Sequence, residues 1–203
     1  MYLDRMSYLE VEEYLKTRDT VILVTGSTEN HGKHMPLGTD TMIPSKIVEL
    51  VEKRMSREVV ICPPLPYGST EDLMGFAGTV SVGPVLLTEI LNKICGQLFD
   101  YGFRHFIIVN GHGGNSKSIE ATCQYLYKRG ARAARVDWWL IAGQINPAWK
   151  GGHGGGEVGG HDGLDHDRLF RKLHPAYKFS RKNCFISVFR KELIKCFCII
   201  NCI

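Results

Sequence analysis

Apolar residues recur along the chain with two periods, and the alternation between them sketches a fold. In "SYLEVEEYLK" (7–16), Leu9, Val11, Tyr14 and Leu15 have helical spacing behind Ser7, a good N-cap. "TVILVTG" (20–26) is a short, β-branched run closed by glycine, and reads as a buried strand. The helical period returns from Asp40 to Met55, through Ile43, Ile47, Leu50, Val51 and Met55. "EVVICPP" (58–64) predicts a second strand stopped by prolines, and "LPYGSTEDLMGFAGT" (65–79) a long loop. Pro84 sits where the first turn of a helix tolerates proline, and Leu87, Ile90, Leu91, Ile94 and Leu98 line one face before Gly102. "HFIIVNG" (105–111) predicts a third strand, 116–129 a helix terminated by Gly130, and "ARAARVDWW" (131–139) a fourth strand.

Strands alternating with helices predict an α/β fold with a mostly parallel sheet covered on both faces. Ligands of such sheets bind at the carboxyl ends of the strands. Two histidine-bearing loops fall at that edge. "STENHGKHMPLGTD" (27–40) follows the first strand, and "GHGGN" (111–115) follows the third.

Composition narrows the function classes. With 203 residues, 44% of them hydrophobic, the chain can build one domain with a proper core. A net charge of +4 with no run of Lys or Arg argues against a nucleic-acid partner. No uncharged apolar stretch is long enough for a membrane span. The start, "MYLDRMSYLEVEEYL", lacks the basic and apolar regions of a signal peptide, so a cytoplasmic location is expected. The seven cysteines include no CxxC pair and do not suggest a disulfide framework. Cys62, Cys95 and Cys123 lie in apolar segments and read as small buried hydrophobes.

The two loops concentrate metal ligands. Glu29 and His31 are two residues apart, so both side chains point the same way in an extended segment. Asp40 stands at the start of a helix, and His112 comes from the neighbouring loop. His153 and Glu157 belong to a later stretch, "NPAWKGGHGGGEVGGHDGLDHD" (146–167), with eight glycines, three histidines and four acidic residues. Nitrogen and oxygen donors without thiolates suit Zn²⁺, Mn²⁺ or Fe²⁺. Five such ligands are too many for one closed site and suit two ions sharing a carboxylate. Simpler readings compete at each position. Asp40 alone could be a helix N-cap, His31 or His34 a surface histidine, and "NGHGGN" a phosphate-cradling loop, although it lacks the Lys and Ser/Thr of a P-loop.

The same residues carry a family resemblance. "TENHGKHMPLGTD" is similar to the E-x-H-G-x-H-x-P-L-G-T-D signature of the creatininase (creatinine amidohydrolase) family, and "VNGHGGN" (109–115) to its second signature. "PYGSTEDLMGFAGTVS" (66–81) and "GGHGGGE" (151–157) resemble two further family segments, and the likeness runs over roughly residues 5–160. It implies a three-layer α/β sandwich, a two-metal centre and assembly as a homohexamer. Glu29, Asp40 and His112 would hold one ion. His31, Asp40 and an acid would hold the second, with Asp40 bridging. Creatininase itself takes that acid from the position of Gly114; other members take it from the third motif, which makes Glu157 the candidate here. His153 matches the catalytic histidine that protonates the departing nitrogen.

These features lead to an expected function. It is a metal-dependent amidohydrolase acting on a small molecule with a non-peptide C–N bond, a cyclic amide or formamide, through hydroxide bridging two ions. A scaffold without turnover is the alternative, because the third motif and the segment beyond residue 160 depart from the family pattern. Leu73 and Ala77 also replace a family histidine and proline. Residues 1–160 are expected to form the creatininase-like domain and 161–203 a divergent segment. Its ending, "CFCIINCI", suggests a truncated or altered reading frame. Trp138, Trp139 and Trp149 are either pocket walls or core.

Overall fold

The computed structural model describes residues 1–33 and 35–145. Helix α1 (Tyr8–Leu15) leads into strand β1 (Thr20–Thr25). Helix α2 (Thr39–Glu52), strand β2 (Val60–Ile61), helix α3 (Gly83–Tyr101) and strand β3 (His105–Asn110) follow. Helix α4 (Ser116–Lys128), strand β4 (Arg132–Asp137) and helix α5 (Trp138–Ile145) complete the described elements.

The four strands form one parallel sheet in the order β2-β1-β3-β4. β1 and β3 run in register from Thr20 opposite His105 to Thr25 opposite Asn110. Alternate residues of each strand face opposite sides, so each strand feeds two cores. Ile22, Val24, Ile107 and Val109 pack with Ile43, Ile47, Val48 and Val51 of α2, and with Trp138 of α5. Val21, Leu23, Phe106 and Ile108 pack on the other face with Leu87 and Leu91 of α3, Ile119 and Leu126 of α4, and Tyr14 of α1. Each wholly buried Leu or Ile among them contributes roughly 1.5–3 kcal/mol by leaving water. The parallel sheet covered on both faces, predicted from the alternating periods, is the observed architecture, and it is consistent with the α/β sandwich that the resemblance implies.

Local chemistry sets the element ends. Ser7 and Glu10 form a reciprocal capping box at α1, with Ser7 N donating to Glu10 Oε2 at 2.7 Å and Glu10 N to Ser7 Oγ at 3.4 Å. Pro84 occupies the first turn of α3, and Gly102 ends that helix at φ +125°, a conformation open mainly to glycine. Two predicted strands are shorter in the structure. β2 has only two residues, although Cys62 N and Leu65 N still donate to Ile22 O and Val24 O of β1, both at 2.9 Å. β4 stops at Asp137, and the expected strand residues Trp138 and Trp139 begin α5. Trp138 is wholly buried and meets Trp139 edge-on at 6.1 Å, so its size is accommodated by core packing.

Candidate metal centre

The carboxyl ends of β1 and β3 each release a loop toward the start of α2. The approach is close because two positions are bare. A Cβ on Gly111 would lie 1.8 Å from Asp40 O, and one on Gly26 would lie 2.2 Å from Thr41 Oγ1. Pro44, four residues after Asp40, offers no N–H to the Asp40 carbonyl, so that edge of α2 is free to receive the β3 loop.

Asp40 is the centre of the resulting cluster. It lies in the first turn of α2, whose N-cap is Gly38, and its side chain makes no capping bond. The simple N-cap reading of Asp40 therefore gives way to a different role. Its Oδ1 is 2.9 Å from His31 Nε2, and its Oδ2 is 3.0 Å from His112 Nδ1. Ser27 Oγ donates to Oδ2 at 3.2 Å. Glu29 joins from the side, with Oε1 3.0 Å from His112 Nδ1 and 3.9 Å from His31 Nε2. Glu29 and Asp40 are almost completely buried. Ligand atoms of Glu29, His31 and Asp40 all lie within 4.8 Å of one another, close enough to surround one ion.

Backbone carbonyls orient both imidazoles. A carbonyl oxygen can only accept a hydrogen bond, so the ring nitrogen facing it carries the proton. Glu29 O faces His31 Nδ1 at 3.1 Å, which turns Nε2 to Asp40. Ser69 O faces His112 Nε2 at 2.9 Å, which turns Nδ1 to Glu29 and Asp40. Asn110 Oδ1 accepts from the His112 backbone N–H at 3.2 Å, and Asn110 Nδ2 donates to Asp137 Oδ1 at 2.8 Å.

The electrostatics suit a cation. Burial works against charge on His31, but Asp40, Glu29 and their hydrogen bonds outweigh it and hold the imidazole up at about 9. The same contest at His112 ends at about 10. Burial also works to raise Asp40, and the two histidines overcome it, keeping its carboxyl well below the usual carboxylate range. Glu29 is raised, by burial first and by neighbouring Asp40, against the pull of His112. Its Oε2 is buried with no hydrogen-bond partner among the described residues. The surroundings thus favour positive charge at both imidazoles, and one acidic oxygen of Glu29 has no partner among the described residues. That donor set fits a divalent metal ion, which would displace the protons.

Of the ligands expected from sequence, Glu29, His31, Asp40 and His112 are brought together. His34, His153 and Glu157 lie outside the described residues, as does Trp149. Sequence reasoning assigned no part to Ser27, Ser69 or Asn115, whose polar atoms complete the surroundings. Asn115 closes the quoted "NGHGGN" motif, and its place at a loop–helix junction was the available signal.

Fold and cluster together define an α/β protein with a carboxylate–imidazole centre at the carboxyl edge of its sheet. The creatinine amidohydrolase family model matches residues 4–161, and the chain belongs to this creatininase family. Over 120 residues it is 37% identical to the mycofactocin precursor peptide peptidase of Mycolicibacterium smegmatis, covering 57% of this chain and 48% of that one. Over 125 residues it is 28% identical to the creatinine amidohydrolase of Pseudomonas putida, covering 59% and 47%. The chain spans about half the length of these curated relatives. A mutant creatininase of Zn-Zn type shares the fold with a TM-score of 0.70 at 22% identity, over 91% of this chain and 81% of that chain.

Proposed function

We propose that the chain is a metal-dependent hydrolase of an amide-type carbon–nitrogen bond. The observation that carries the reading is the convergence of His31 and His112 on Asp40, at 2.9 and 3.0 Å, beside a Glu29 oxygen that has no hydrogen-bond partner among the described residues. Glu29, Asp40 and His112 would hold one divalent ion. His31, Asp40 and, by family resemblance, Glu157 would hold a second. Zn²⁺, Mn²⁺ and Fe²⁺ fit the donors, and solved creatininases of this fold include Zn-Zn and Mn forms. When bound, such ions polarise a carbonyl and make water acidic enough to react near neutral pH.

The protein's own groups set the stage for that chemistry. Ser27 steadies Asp40 Oδ2, and the Glu29 and Ser69 carbonyls present one ring nitrogen of each histidine to the centre. Burial of Glu29 and Asp40 excludes competing water and strengthens their pull on positive charge. His153 is proposed as the general acid for the departing nitrogen, which leaves poorly unless protonated.

A cyclic amide or formamide is the first substrate reading. A peptide is the second, favoured by the 37% identity to a peptide peptidase. It also draws on the exposed Tyr67, Met74 and Phe76 of the loop that reaches the site through Ser69. Assembly as a homohexamer carries over from the family as part of the proposal.

Metal analysis of purified protein tests the core of this reading, with up to two ions per chain as the expected result. A folded protein that takes up no Zn²⁺, Mn²⁺ or Fe²⁺ on reconstitution would overturn it. Assays of the loaded protein on creatinine, hydantoins, formamidopyrimidines and short apolar peptides separate the substrate readings. His153→Ala should retain metal and lose turnover, and unchanged turnover would remove the general-acid assignment.

A further inference from the structure

We infer that the Ser69 peptide is a built positioning element for His112, and that Asn115 is the residue that sets it. Asn115 is wholly buried. Its Oδ1 accepts from Ser69 N at 3.0 Å, and its Nδ2 donates to Gly26 O at 2.9 Å. One amide side chain therefore ties the end of β1, the start of α4 and the 65–82 loop into one unit. Ser81 grips the same loop from the other side, accepting from Thr70 N at 2.9 Å. The Ser69 carbonyl, fixed between these two grips, lies 2.9 Å from His112 Nε2.

The position of Gly114 belongs to the same device. A Cβ there would meet Ser69 O at 2.1 Å and His112 Nε2 at 2.6 Å. The carbonyl and the ring fill the space that any side chain at 114 would need. An acid at this position is therefore incompatible with the observed arrangement, and the chain has a backbone acceptor for His112 in its place. Because a carbonyl only accepts, the ring keeps its proton on Nε2 and presents Nδ1 to Glu29 and Asp40. Partners of this kind fix the tautomer and direction of a metal-binding histidine, and losing one costs metal affinity. Asn115 acts through Ser69 and touches none of the carboxylates, so its part is to position His112.

The inference rests on the metal-centre reading for its effect on affinity, and the test separates the two. Zn²⁺ affinity is measured by chelator competition. The ring of His112 is observed by proton–nitrogen correlation spectra of histidine-labelled protein, with and without Zn²⁺. Asn115→Ala and Gly114→Ala should each weaken Zn²⁺ binding about 10- to 100-fold. Both should move or broaden the His112 Nε2–H signal. Ser81→Ala should act in the same direction with a smaller effect. Ser118→Ala removes a bond from α4 to Pro84 O, and should lower thermal stability while leaving Zn²⁺ affinity and the His112 signal unchanged. If Asn115→Ala fails to fold, Gly114→Ala and Ser81→Ala carry the same test. Folded variants with unaltered Zn²⁺ affinity and an unaltered His112 signal overturn the inference. A wild-type chain that binds no Zn²⁺ overturns the metal-centre reading instead, and the metal-free spectra still decide whether Asn115 governs the His112 ring.

Discussion

Strand β3 opens on one histidine, His105, and is followed two residues beyond its end by another, His112; each meets an aspartate, yet the two pairs are built for different work. At the amino end, His105 Nδ1 lies 2.6 Å from Asp19 Oδ1, and both side chains are 36% exposed. At the carboxyl end, His112 is 15% exposed, faces two carboxylates at 3.0 Å, and has its other nitrogen on a carbonyl. Water screens the first pair, so its strength is limited. The second pair is largely shielded from water and surrounded by surplus acceptors, which concentrates negative charge on one spot. Residue type and partner are the same. Burial, the number of carboxylates and the fixed ring direction make the second the candidate metal centre. The sheet's geometry decides which end receives those additions, since loops from adjacent parallel strands converge beyond their carboxyl ends.

The strongest way to break this contrast is to remove Asp40. Asp40→Ala should abolish metal retention by elemental analysis, and should cost the metal-free protein about 3 kcal/mol in denaturant unfolding, because it leaves buried partners uncompensated. Next, Gly111→Ala should destabilise by about 1–3 kcal/mol, because its methyl would meet the Asp40 carbonyl in backbone that cannot easily retreat. Gly113→Ala in the same loop has open space around it and should stay within about 0.5 kcal/mol.

The pH dependence of the metal-free protein sharpens the same comparison. His31 and His112 are raised to about 9 and about 10 in the fold. Their stabilisation is fully present below their ordinary value near ~6.5 and is lost as pH rises through the folded values. Glu29, also raised, works in the same direction, favouring low pH. Asp40, depressed, contributes above its ordinary range near ~4, and that contribution falls away in acid. Chelator-treated protein should therefore lose on the order of 2 kcal/mol between pH 6.5 and 10. His112→Ala should flatten that slope. The smallest effect is expected at the other end of β3. Asp19→Ala should cost less than about 1 kcal/mol in the same unfolding assay and leave metal content intact.

Much of the fold was legible along the chain, and the reasons are local. The apolar spacing of Leu87, Leu91 and Leu98, the proline at 84 and the glycine at 102 specify α3 without reference to the rest of the chain. Ser7 announces α1 by a bond to a residue three positions away. Misreadings arose where distant contacts decide. Trp138 and Trp139 extend a β-rich run, but in the structure they open α5, with Trp138 buried in the core it shares with α2. β2 reads as a full strand but pairs for only two residues before the proline-rich turn.

The site divides in the same way. The sequence by itself determined the strand–helix alternation, the loops that carry Glu29, His31, Asp40 and His112, and hence the edge at which they gather. It did so because periodicity, turn residues and motif order act over a few neighbours. Only the tertiary structure decided that Asp40 turns one oxygen to His31 and the other to His112, that His112 points Nδ1 inward, and that Asn115 and Gly114 place the Ser69 carbonyl behind it. Those are contacts between residues dozens of positions apart. Their lengths depend on how close two loops and a helix can come when bare glycines let backbone meet backbone.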